Sequence, residues 1–178
     1  MKRQHGHFSS TLTLAARLTV VVAVVAILAG CSSTAVGDNS SPLGKSLQLR
    51  LVISSVDGSC SAPTLSSDGP ASACDRAGTI TYDLAKSLGV ITPTTVSLPA
   101  DDGSSHVVTL ELNKADTSTL ENASKEAIDK HLAIVLNGRV LSAPLVKDSL
   151  TTSSVALAFG TASEAKQVAT ELGASATP

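Results

Sequence analysis

Asn137-Gly138 dictates the local path of this chain more firmly than any other pair of residues in it. A two-residue type I′ turn needs positive φ at both central positions, and Asn and Gly tolerate that conformation. A nearly continuous apolar stretch, His131 to Leu136, precedes the pair, and a return stretch, Arg139 to Ala143, follows it and is stopped by Pro144. The sequence predicts a β-hairpin whose first strand, apolar on both faces, lies inside a sheet.

Periodicity sorts the rest of the chain. Leu47, Leu49, Leu51 and Ile53 alternate with Gln48, Arg50 and Val52, the pattern of a strand with one buried face. Residues 54–78 are rich in Ser, Gly, Pro and Asp and read as a long loop. Thr79–Leu84 reads as a short strand, and 85–88 is ambiguous. Thr94–Leu98 and Ser105–Leu112 flank the turn residues Asp101-Asp102-Gly103 and suggest a second hairpin, and Val155–Phe159 reads as another strand. Ser118-Thr119-Leu120-Glu121 fits a capping box, which predicts a helix from about 118 to 130 with Leu120, Ala123, Ala127 and Ile128 on one face. Thr161-Ala162-Ser163-Glu164 fits a second one. There Ala165, Val168, Ala169 and Leu172 form the apolar face, and Gly173 is the carboxy-terminal cap. The order predicts an α+β fold: a mostly antiparallel sheet with two helices packed on one face.

The amino terminus gives an address. Lys2, Arg3 and Arg17 precede an unbroken apolar run from Val20 to Ala29. A bilayer-spanning helix takes about 20 residues, so the run fits the apolar core of a secretory signal peptide better. Leu28-Ala29-Gly30-Cys31 closes it and has the form of a bacterial lipobox, after which Cys31 carries a thioether-linked diacylglyceryl group. An ordinary signal peptide or an uncleaved anchor is the alternative. The ordered series of basic region, apolar core, lipobox and polar sequel favours lipidation. Two acyl chains anchor where one does not. The expected organisation is a signal peptide at 1–30, a flexible Ser- and Gly-rich tether at 31–46 and an amino-terminal strand with a disulfide-tied loop at 47–93. A domain at 94–173 and a short tail at 174–178 follow. Beyond residue 30 the chain carries 10 basic against 15 acidic residues, a net charge of −5. The lipid, not the protein surface, is then the expected membrane attachment.

With Cys31 lipidated, Cys60 and Cys74 remain as an even pair in an exported chain, where disulfides form. A bridge between them closes a short loop and is worth about 3 kcal/mol in the chain-entropy model. A zinc or redox pair is the alternative. The CxxC spacing is absent, and no His is near either Cys in sequence.

Several chemistries find little support. Aromatics make up 2% of the chain, and the net charge is −2. That argues against stacking platforms for nucleic acid and against a phosphate-binding surface. Gly44-Lys45-Ser46 resembles the end of a phosphate loop, but Asn39 stands where the loop's first Gly belongs. His106 and His131 lack a second His or a Cys at metal-ligand spacing. His131 is placed to favour a helix carboxy terminus. Serines, His106 and Asp101 could be assembled into a triad, but no GxSxG elbow exists. Asp101-Asp102 beside Gly103 reads as a solvated turn, and Glu121 and Glu164 are accounted for by capping. No enzyme, metal or cofactor is expected.

The stretch HLAIVLNGRVLSAP at 131–144 resembles the "AIVLDGKVISAP" segment of the protein-export subunit SecD, in the head of its large periplasmic P1 domain. Phe159-Gly160-Thr161 followed by Ala162-Ser163-Glu164-Ala165 resembles the Gly/Phe/Thr-rich junction and "EEA" helix of the same head. Val107–Leu112 with Leu120 resembles its preceding strand and helix, and Leu47–Val52 more weakly its first strand. The convincing likeness covers about 94–172. Asn137, Gly138, Ala143 and Pro144 carry the motif and read as fold specification. SecD has six membrane-spanning helices without counterparts here, so the resemblance implies a free-standing head domain on a lipid anchor, not a translocase motor. The alanine- and valine-rich composition is compatible with an actinobacterial source. Contact with exported polypeptide or with translocon subunits is what the resemblance implies. The competing readings are an envelope structural or adaptor lipoprotein and a small-molecule-binding lipoprotein that reuse the fold. An exposed apolar sheet edge would favour the first reading, and a deep closed pocket the last.

Overall fold

The structure, a computed structural model, describes residues 45–98 and 106–174. The signal peptide, Cys31, most of the tether and the Asp101-Asp102-Gly103 turn lie outside them.

Eight strands and two helices follow in the order β1 (Leu47–Asp57), β2 (Ala71–Cys74), β3 (Ile80–Ile91), β4 (Thr95–Ser97), β5 (Val107–Glu111), α1 (Lys114–Glu126), β6 (Leu132–Leu136), β7 (Arg139–Ser142), β8 (Ser154–Ala158) and α2 (Ala162–Glu171). The α+β class holds, and the strands divide between two antiparallel sheets. One has five strands in the order β2-β3-β1-β6-β7, the other three in the order β4-β5-β8. An isolated parallel bridge, Asp75 to Val140, brings the end of β2 beside β7, so the large sheet begins to curl back on itself.

Asn137 and Gly138 have φ of 51° and 74°, as the I′ turn requires. All five residues of β6 are buried, between β1 and β7 in the sheet and between core clusters on its two faces. Leu47, Leu49, Leu132 and Ile134 join Leu120 and Ala123 of α1, Val168 of α2 with its cap residue Leu172, and Val108 and Leu157 of the small sheet in the main core. Ala133, Val135 and Val140 face the other way, into a smaller cluster with Ala73 and Leu84.

Three expectations need correction. First, β1 is not buried on one face only. Arg50 is fully buried and Ile53 is 68% exposed. A segment of 58–70 covers the second face at Arg50, and register shifts along the β1–β3 ladder break the alternation before Ile53. Second, residues 54–78 are not all loop. Ser54 and Ser72 lie in β1 and β2 and donate to the Asp83 carboxylate of β3, so loop-like residues line the solvent face of a sheet. The short strand expected at Thr79–Leu84 is the start of the 12-residue β3.

Third, the first helix starts four residues earlier. Asn113 is its cap: the side-chain oxygen accepts from the Asp116 amide at 2.9 Å, and the side-chain amide donates to the Asp116 carboxylate. Ser118 lies inside the helix and donates to the Lys114 carbonyl, while Glu121 pairs with Lys125 at i+4. Asn and Ser rank about equally as caps, and the turn Lys114–Thr117 that the earlier start adds contains no buried residue. The helix ends before Ile128, which is 43% exposed. The second helix keeps its expected cap, with Thr161 accepting from the Glu164 amide, and Ala165, Val168, Ala169 and Leu172 are buried. At its end Gly173 has φ 94°, its amide donates to Thr170, and the Ala174 amide donates to Ala169, which is a Schellman motif.

Candidate functional site

The hairpin and the small sheet leave a space between them. β8 pairs with β5 on one side, and its other side is a sheet edge. Along that edge runs an open groove of about 560 Å³. All five residues of β8, Ser154 to Ala158, line it. Alternate residues of a strand point to opposite faces, so consecutive residues can border one space only where the strand's backbone edge faces it. Leu132, Ile134 and Leu120 form the floor, and Leu145, Val146 and Leu150 the far wall.

The far wall is held by backbone pairing. The Leu132 amide donates to the Pro144 carbonyl at 3.0 Å, the Val146 amide to Lys130 at 2.9 Å and the Asp129 amide to Val146 at 2.8 Å. His131 Nδ1 is 2.7 Å from the Ala143 carbonyl, which can only accept, so the ring nitrogen donates. Ala143 and Pro144, read from sequence as a strand stop, thus also carry this wall. The pairing resumes beyond the proline, with Leu145 opposite His131. Ser124 pins the loop to β8. Its fully buried hydroxyl accepts from the Leu150 amide at 2.8 Å and donates to the Glu121 carbonyl at 2.9 Å. Nothing in the sequence distinguishes Ser124 from the solvated Ser118 of the same helix, because its partner is 26 residues away.

A second polar centre lies on the opposite face of the large sheet. Cys60 and Cys74 are joined by a disulfide with Cα atoms 5.7 Å apart. From Cys60 the chain crosses the sheet face and returns to β2. Arg50 Nη1 donates to the Gly69 carbonyl at 2.6 Å and to Ala85 at 3.0 Å, Nη2 donates to the Ser67 carbonyl, and Nε donates to Gln48 Oε1 at 2.8 Å. Gln48 in turn donates to Asp68 at 2.7 Å. Burial pushes the Arg50 pKa below its ordinary value, and the Asp68 charge opposes that shift. Sequence alternation put Arg50 opposite the leucines but did not reveal the carbonyls that receive it.

A third cluster ties both hairpins to α2. Arg76, after β2, makes a two-pronged pair with Glu171 at 2.9 Å for each bond, and Asn137 donates to the same carboxylate at 3.4 Å. Hydrogen bonding from Arg76, its charge and that of Lys45, and the Asn137 bond hold the Glu171 carboxyl below the usual range against the desolvation that opposes them. Asp75 is desolvated, which alone would raise its pKa. Bonds from the Ile80 amide, the Thr79 hydroxyl and amide, and the Gly78 amide outweigh this and lower it. Among the described residues, no group of three His, Cys, Asp or Glu side chains is placed to hold a metal ion, and no helix is long and apolar enough to cross a membrane.

Residues 91–178 match the family model for the SecDF P1 head subdomain. A comparison with curated proteins gives no match. Two solved structures are similar to the chain. One is described as a membrane component SecDF that enhances protein export, at 21% identity over 71% of this chain and 60% of that one, with a TM-score of 0.49. The other is SecDF in a super-membrane-facing form, at 21% identity over 72% of this chain and 18% of that one, with a TM-score of 0.48. The chain thus spans less than two thirds of either structure's length. It contains a domain that resembles the SecDF P1 head.

Proposed function

Taking that likeness as premise, we propose that the chain is a non-enzymatic, extracytoplasmic lipoprotein that binds polypeptide at the membrane in support of protein export. The observation that carries the reading is the apolar groove along the free edge of β8. An extended chain entering it could hydrogen-bond to the strand edge through its backbone and lay alternate side chains on Leu132, Ile134 and Leu157, so affinity would not require one sequence. The groove is open along a sheet edge, which favours polypeptide over an enclosed small ligand. Cys31 is the proposed lipid attachment. Its role would be to hold the groove at high effective concentration beside exported chains.

The test is photo-crosslinking in cells, with the crosslinker at Ala156, exposed on β8, or at Lys86, exposed on β3. Capture of nascent exported chains or translocon subunits from Ala156, absent from Lys86 and lost in a Cys31→Ala form, is the expected result. Capture of envelope proteins or cell-wall enzymes alone would overturn it in favour of an adaptor role.

A further inference from the structure

The disulfide does more than close a loop. From Cys60 to Gly69 the chain lies as a single strap over the sheet face opposite the groove. Along residues 61–69 only Ala62 and Leu65 are not exposed. Leu65 packs on the smaller core cluster, over Ala133, Val135 and Val140. The two ends of the strap are held in different ways. At the carboxy end Arg50 grips the carbonyls of Ser67 and Gly69, Gln48 binds Asp68, and the Ser87 amide donates to the Asp68 carbonyl at 2.8 Å. At the amino end, besides the disulfide, the Cys60 amide donates to Gly78 at 2.9 Å, the Cys74 sulfur is 3.6 Å from the Ala62 carbonyl and, midway, the Leu65 amide donates to Gly138 at 3.2 Å. The covalent bond to Cys74 is the main hold on that end.

We propose that the strap is a redox-controlled cover, hinged at Arg50 and latched at Cys60–Cys74. A dithiol reductant opens the latch. Its thiolate attacks Sγ of Cys60, the less buried partner, and Cys74 leaves as a thiolate that takes a proton from water. The second thiol of the reductant then resolves the mixed disulfide. Cys60 returns as a thiol, and the reductant leaves as a disulfide. With the latch open, residues 60–66 peel from the sheet and uncover Val135, Val140 and Tyr82, while residues 67–69 stay pinned to the guanidinium. Loss of the cross-link releases that end of the strap from β2. The groove lies on the other face, so this inference does not rest on the proposed function.

Amide exchange of the full chain, before and after dithiothreitol, tests the hinge. The Leu65 and Cys60 amides should lose protection by at least about tenfold on reduction, while the Ser87 amide and the β6–β7 ladder keep theirs. Reoxidation should restore the starting pattern. A Cys60→Ser/Cys74→Ser form should show the reduced pattern without reductant. Two results would overturn the proposal: unchanged protection at Leu65, or loss of protection throughout β6, β7 and α2, which would make the bridge a global staple.

Discussion

Gly138 meets two demands at once. Its φ of 74° belongs to the turn, and its missing side chain belongs to the strap. A Cβ there would sit 2.4 Å from the Thr64 methyl and 2.6 Å from the Leu65 carbonyl. The second neighbour is backbone and cannot rotate away. Gly138→Ala should therefore destabilise the fold by about 2–4 kcal/mol, more than turn strain alone, with the denaturant midpoint as the measure. The turn was legible in sequence because two adjacent residues specify it. The strap contact was not, since it joins positions more than seventy residues apart. Arg50 has the same history. Its place opposite the leucines followed from period 2, but a buried guanidinium needs acceptors, and backbone carbonyls leave no mark in sequence.

At the scale of elements, α2 was read correctly from its cap to its Schellman end, because each signal lies within one turn of the residue it serves. The first helix was misplaced by four residues because Asn113 and Ser118 are both competent caps. Asn113 makes two bonds to Asp116, while both starts place Leu120 and Ala123 on the core face. The Arg76–Glu171 pair fastens the end of α2 to the strand hairpins and has a pH signature. The folded carboxyl titrates below its unfolded value of about 4.3. The stability it contributes is thus complete above that value and is lost as pH falls through the lower folded pKa. The side chains are 20% and 35% exposed, so solvent screening keeps the contribution modest. Urea unfolding between pH 6 and pH 3 should show a smaller acid loss in Arg76→Ala than in the unaltered chain. A remainder should persist in the variant, because Asp75 is shifted in the same direction.

On the scale of the whole molecule, the segment that resembles the P1 head does not hold the complete sheet. β1 lies between β3 and β6, and its Leu47 and Leu49 enter the main core. A chain cut to residues 91–178 keeps the likeness but exposes the inner edge of β6. It should show no cooperative thermal transition by circular dichroism, and it should self-associate in light scattering. The sequence carried the α+β class through its runs of strand and helix signals. It did not carry the division into two sheets, because alternation tells which residues share a face and is silent on which strands are neighbours.

The position of β1 also sets a timetable. An exported chain that emerges amino-terminus first presents β1, β2 and β3 early, and they can pair among themselves at once. The partner for the other side of β1 is β6, which emerges only after β4, β5 and α1. Until then the nascent chain holds a three-stranded ribbon with one raw edge and two buried-to-be leucines facing water. Closure waits on a long-range encounter, the slowest kind of step in building a sheet. That interval is when the newborn chain is most open to mispairing and most in need of a chaperone.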